Sequence, residues 1–263
     1  MKKYLFILKS ELMSNLQYIF NIITGSIGFA IIIFIFLNLW NYIYSDPSEI
    51  INGYTKNQMI WYIIITEILW STLGGRQLCR KISDDVRGGN IAYNINKPYN
   101  YIGYSLSNHL GSAILRYIIY LILGIILGFI FLKDFPTLNI LSIIAVLVTG
   151  LLATIISSLL VIFIGLLSFL IEDSNPFYWL YSKLILVIGT IFPIEYFPKI
   201  VRPILNLSPI YVVCYGPAKL FVDFTWNNFV IVLISQIIYI LIAWILCTLI
   251  YKKGVKKLNV NGG

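Results

Sequence analysis

Between residues 21 and 251 the chain is mostly apolar runs of membrane-spanning length, separated by short polar stretches whose positive charge is unevenly shared. A helix needs roughly 20 consecutive apolar residues to cross the hydrocarbon core, where every backbone polar group must be bonded internally. Here 59% of residues are hydrophobic and only 11% charged, against about 25% charged in a soluble domain. These facts predict an all-α integral membrane protein. Six transmembrane helices are expected, at about 22–43, 59–78, 110–132, 138–171, 177–193 and 229–251. The fourth run is too long for one upright helix and too short for two, so it reads as one tilted or overlong helix, or a helix with an apolar extension.

Six spans place both termini on one side. On that reading, 14 of the 19 Lys and Arg residues fall on the side of the termini and five, Lys56, Lys133, Lys199, Arg202 and Lys219, on the other. The basic side is expected to be cytoplasmic. The net charge of +8 is then explained by anionic membrane lipids beside the inner leaflet, with no nucleic acid partner. Residues 1–20 read as an amphipathic interfacial helix, with Leu5, Leu8, Leu12, Leu16 and Ile19 along one stripe. Lys9 and Glu11 interrupt its apolar character, so it does not read as a signal peptide. Residues 21–251 would form a single transmembrane domain, and 252–263 a basic cytoplasmic tail.

Most enzymatic chemistry has no support. Cys79, Cys214 and Cys247 are far apart and odd in number, and His109 is the sole histidine, so no metal-ligand spacing or disulfide framework arises. No catalytic residue or metal site is assigned. A GxxxxGKS/T phosphate loop is absent, so the chain is not expected to bind ATP in that way itself. Leu73-Gly74-Gly75-Arg76-Gln77 echoes a glycine-rich ATPase signature, but it ends a membrane span and has no phosphate loop beside it. Within the membrane, Glu67 is the foremost candidate for a polar substrate path, because an ionisable group there is costly unless paired or hydrated; Asn38 is a weaker one. Gln236 is expected to make an interhelical hydrogen bond, and Gly124-xxx-Gly128 to permit close helix approach.

Two segments stand out. Residues 79–98 are dense in charge and turn residues: Arg80-Lys81-Ile82-Ser83-Asp84-Asp85-Val86-Arg87 reads as a short polar helix or turn capped by Gly88-Gly89. Residues 193–217 hold five prolines yet stay apolar, which excludes one regular spanning helix and predicts a re-entrant outer segment of short shielded helices.

Gly89-Asn90-Ile91-Ala92-Tyr93 with Lys97-Pro98, and the Phe192-Pro193-x-Glu195-x-Phe197-Pro198 run followed by Ser208-Pro209 and Gly216-Pro217, resemble the membrane permease subunit of type-2 ABC exporters. The resemblance is to a stand-alone six-span bacterial form, and its layout covers nearly the whole chain. It implies an export subunit of the plasma membrane that moves an amphipathic or lipid-like substrate. Two copies of an ABC ATPase would bind ATP and Mg for it, and a second permease chain, the same or paralogous, would complete the path. The N-terminal helix would be a connecting helix. Arg80, Lys81, Asp84, Asp85, Arg87 and Gly88 would contact the ATPase. Pro193, Glu195, Phe197, Pro198, Pro209 and Pro217 would form an outer gate. Asp84-Asp85 departs from the family pattern, in which fewer acids are expected. The alternatives from other classes are an ion-coupled secondary transporter and a membrane-embedded lipid enzyme.

Overall fold

The structure, a computed structural model, describes residues 2–261 apart from 18, 47, 134 and 137. Local sequence signals account for most element boundaries. Helices α1 (Lys2–Gln17) and α2 (Ile19–Ile43) lead to a hairpin, β1 (Ile50–Ile51) paired antiparallel with β2 (Tyr54–Thr55). Its two-residue turn is Asn52-Gly53, both at positive φ, as a tight hairpin turn requires. A capping box between Thr55 and Gln58 starts α3 (Lys56–Thr72). After α4 (Gly75–Arg87) and α5 (Asn90–Ile95), the side chains of Asn100 and Asn139 cap α6 (Tyr101–Leu132) and α7 (Ile140–Leu166). The chain continues through α8 (Asn175–Leu184), α9 (Arg202–Asn206), α10 (Gly216–Val222) and α11 (Trp226–Asn261).

Among the described residues four helices are long and apolar enough to cross a membrane: Ile22–Ile43, Tyr101–Leu132, Ile140–Phe169 and Trp226–Lys256. Their outer faces carry Ile31, Ile35, Ile122, Ile126, Ile238 and Leu241, each about half exposed, a contiguous apolar surface of the kind that lipid covers. The nearly all-α, multi-pass architecture agrees with the sequence reading. The fourth apolar run is one helix, α7, extended by a 3₁₀ turn at Leu167–Phe169.

Several limits differ from expectation. The second segment ends at Thr72, and Gln77 and Leu78 belong to α4. The third helix starts at Tyr101, nine residues before the apolar run, because Asn100 supplies a cap there. The 252–263 tail is no separate element; α11 runs through it to Asn261, and Gly262 and Gly263 lie outside the described residues. The 1–20 segment, in which Met1 and Tyr18 lie outside the described residues, forms a helix that packs along α6. Asn108 Nδ2 donates to Glu11 Oε2 at 2.6 Å, and the Asn100 N–H donates to Tyr4 Oη at 2.9 Å. Leu8 and Leu12 sit half-buried on that contact, whereas Leu5 and Leu16 of the same expected stripe are exposed.

The core is built around α3, which is buried on all sides from Met59 to Leu69. Helix α6 reaches it through Gly124 and Gly128, the latter lying flat against the Trp61 ring. A Cβ at 128 would fall within that ring. Gly128→Leu is therefore expected to cost about 3 kcal/mol or more, the upper range for overpacking, and to lower the thermal midpoint of the purified protein clearly. An unchanged midpoint would show that α3 and α6 do not approach as described.

Candidate functional site

At the C-terminal end of α3 the chain turns sharply into α4. Gly74 has φ +47°, and a Cβ there would lie 2.7 Å from Nη1 of Arg116, so both backbone and space require glycine. Arg116 Nε donates to the Thr72 carbonyl at 3.1 Å and so closes the C-terminus of α3 with a positive charge. Leu78, Cys79, Ile82 and Val86 recur at helical spacing and are buried, on a helix packed against α7. Arg76, Gln77, Arg80, Lys81, Asp84 and Arg87 form the opposite, exposed face.

The helix is fastened from beneath. The hydroxyls of Ser83, Ser168 and Ser174 form a chain at 2.8 and 2.9 Å, and Arg87 pairs with Asp173 at 2.8 Å. Tyr101 Oη donates to Asp85 Oδ2 at 2.7 Å. Of the six expected ATPase contacts, then, Arg80, Lys81, Asp84 and Gly88 lie on the free face. Asp85 is turned into an intramolecular tie, and Arg87 is shared between the free face and the α7–α8 loop. Hydrogen bonds from the Asn175 backbone, then its side chain, with Arg87 adding, hold the Asp173 carboxyl below its usual range. A depressed carboxyl contributes stability above its unfolded value, near 3.9, and loses it as the pH falls through the folded value. The difference in thermal midpoint between the native chain and Asp173→Asn is therefore expected to be full at pH 6 and to shrink steadily as the pH is lowered below the unfolded value, near 3.9. A difference that does not fall as the pH is lowered from 6 would contradict this.

A second polar constellation lies inside the bundle. Helix α8 widens into a π segment at Ile185–Ile191, and another π segment, Tyr211–Tyr215, precedes α10. Pro217 explains the second: it offers no N–H to the preceding turn and its ring crowds it. The carbonyls of these segments find side-chain donors. Tyr62 Oη reaches Gly189 O and Thr66 Oγ1 reaches Thr190 O, both at 3.0 Å. Gln236 Nε2 bridges Thr149 O and Val212 O at 2.9 Å each. Irregular backbone at membrane depth needs such partners. Glu67, fully buried beside them, accepts from Ser71 Oγ at 2.9 Å, and its Oε2 has no partner among the described residues. Asn38 lies elsewhere: it is exposed on α2, and its amide donates to Phe34 O at 2.7 Å.

The third constellation closes the end that carries the hairpin. Glu195, in a 3₁₀ turn after Pro193, accepts from Tyr54 Oη at 3.0 Å through Oε2 and from Tyr215 Oη at 2.5 Å through Oε1. Lys219 Nζ stands 3.9 Å from Oε1 and 4.5 Å from the Tyr54 ring centroid. Arg202 donates to the carbonyls of Glu195 and Phe197, and around Trp40 Tyr196 packs edge-on and Tyr44 at a tilt. Burial raises the Tyr54 hydroxyl far above its ordinary value, so it stays a donor to the carboxylate. Pro193, Glu195, Phe197 and Pro198 share this end, whereas Pro217 is buried in the bundle beside Ile68, Tyr117 and Gly150, and Pro209 begins the helical stretch that carries the second π segment.

Sequence reasoning missed Tyr54, Tyr215 and Lys219 as partners of Glu195, and Tyr62 and Thr66 as partners of the π segments. Hydroxyl-bearing residues recurring on one otherwise apolar helix, at 62 and 66, were the available signal. Gln236 does make the interhelical bonds expected of it. No curated protein matches the chain. The family model described as ABC-2 family transporter protein matches residues 27–262, which takes in the α4 face, the buried polar core and the Glu195 lock alike. The chain belongs to the ABC-2 family of transporter proteins.

Proposed function

We propose that this chain is the permease subunit of an ATP-driven exporter. It moves an amphipathic or lipid-like molecule out of a bacterial cell with energy supplied by a separate ATPase. The observation that carries this reading is α4: an amphipathic helix, bolted by its apolar face to α7, with the charged face of Arg80, Lys81 and Asp84 left free. A nucleotide-hydrolysing partner seated there, with ATP and Mg bound on its side, would push on the Gly74 junction and tilt α3. The family in general works with an ABC ATPase, and two copies of it are proposed here with a second permease chain, identical or paralogous.

Six crossings are proposed, adding α3 and the α8–π unit to the four long helices. At 17 residues α3 spans about 25 Å, short for a hydrocarbon core of roughly 30 Å but shielded on all sides by protein. Both termini and α4 would face the cytoplasm, following the basic residues. The short helices between Pro193 and Val222, with the Glu195 lock, would form the re-entrant outer gate, and Glu67 would border the path. The chain itself would catalyse no reaction. Co-expression with candidate ABC ATPases and purification in mild detergent tests the reading: a stoichiometric complex with ATP hydrolysis is expected. Transport that survives ATP depletion and collapses with the proton gradient would overturn it.

A further inference from the structure

Where α3 meets α4, a recess of about 400 Å³ opens between α3, α4, α7 and α8. Its wall includes Arg76 and Arg116, with Ser71, Gln77, Ser157 and Tyr181. Two guanidinium groups and several hydroxyl and amide donors therefore converge on one space at the polar boundary of the bundle.

The charge balance is uneven. Arg116 is half-buried, and it spends Nε on the Thr72 carbonyl and one Nη on Ser112 Oγ, both neutral acceptors. Among the described residues no carboxylate lies within ion-pair distance of Arg76 or Arg116. Glu67, a turn away on α3, accepts from Ser71 Oγ through Oε1 and has no partner on Oε2, but it pairs with neither guanidinium. A partly desolvated guanidinium without an anion is a costly arrangement. A tetrahedral oxyanion suits it, because guanidinium N–H groups match phosphate oxygens in pairs. The Ser157 and Tyr181 hydroxyls, hydrogen-bonded to each other at 3.0 Å, leave one O–H to donate into the recess.

We propose that this recess binds a phosphate group, carried by an anionic lipid headgroup or as a soluble phosphate. Its place at the foot of α3 gives it a second property. A bound phosphate would sit against Gly74, the joint on which any movement of α4 turns, so occupancy would stiffen that joint. The recess adjoins the exposed face of α4, on which Arg76 and Gln77 also lie, so its binding is measured on the permease alone, without an ATPase.

The test uses the purified full-length chain with three probes: dioctanoyl phosphatidic acid, dioctanoylglycerol and inorganic phosphate. Phosphatidic acid is expected to bind about ten-fold or more tightly than dioctanoylglycerol. Arg76→Gln, at an exposed position that leaves folding intact, is expected to weaken binding about ten-fold, the loss of one charge-assisted contact. Arg116→Gln should do the same or more, and Lys199→Gln, one positive charge removed at the far end of the protein, should change nothing. Competition by inorganic phosphate at matched concentration would assign the site to a soluble phosphate, and failure to compete to a headgroup. Equal binding of phosphatidic acid and dioctanoylglycerol, no binding of either phosphate probe, or an unchanged affinity in Arg76→Gln would overturn the proposal.

Discussion

Reversing Arg80 and Lys81 to Glu together is expected to abolish assembly with the ATPase while leaving the permease folded. Both side chains are exposed, and substitutions at such positions usually move stability by no more than about 0.5 kcal/mol. Lys81 gives up one long hydrogen bond, 3.3 Å to Asn108. The interface, in contrast, meets four units of changed charge. Disrupting charge pairs in a docked interface commonly costs about 2–5 kcal/mol, which is on the order of a hundred-fold in affinity. Co-purification and ATPase activity read the effect, and an unchanged thermal midpoint confirms that the fold is intact. Arg87 is better left out of this variant, since its reversal would also break the Asp173 pair. Normal complex formation by the double variant would show that α4 is not the docking element.

The second large effect is expected at Glu195. Its two carboxylate oxygens collect Tyr54 and Tyr215, with Lys219 nearby, joining the hairpin, the 193–202 segment and α10. Glu195→Ala leaves two part-buried hydroxyls without their acceptor, at about 1–3 kcal/mol for each unsatisfied group before partial rehydration, while Lys219 keeps its closer pair with Asp223 at 3.1 Å. A net loss of about 3 kcal/mol is expected, visible as an early unfolding step confined to this end. Tyr54→Phe and Tyr215→Phe should each cost about 1 kcal/mol, and neither should add much once Glu195 is gone. Full additivity in that double-mutant cycle would mean that the three residues do not act as one lock.

These expectations rest on features of unequal legibility in the sequence. Helix α4 was readable in part, as a short polar helix or turn capped by Gly88-Gly89, whereas its buried stripe of Leu78, Cys79, Ile82 and Val86 shows only in the structure. Its start was signalled by Gly74-Gly75, a pair that loosens or ends a helix inside apparent span two, and the tertiary contact with Arg116 shows why α3 must stop there. Glu195 and the prolines around it were legible as an irregular apolar segment, because proline excludes regular helix wherever it falls. Their partners were invisible: Tyr54 is 141 residues from Glu195, and nothing local to either residue encodes the pairing. The π segment at Ile185–Ile191 left less trace still. An apolar run reads the same at any helical pitch, and the donors that stabilise its carbonyls come from α3. Asn38 shows how local a polar residue's first bond can be: it is exposed on α2, and its amide donates to Phe34 O of its own helix.

The central claim, that energy enters this protein from a partner seated on the charged face of α4, is tested most directly by site-specific photo-crosslinking in cells that carry the candidate ATPase. Crosslinkers placed at Gln77, Lys81 and Asp84 are predicted to capture the ATPase, and one at Tyr42, exposed near the hairpin end, to capture none. Capture from Tyr42 with silence at all three α4 positions would contradict the account.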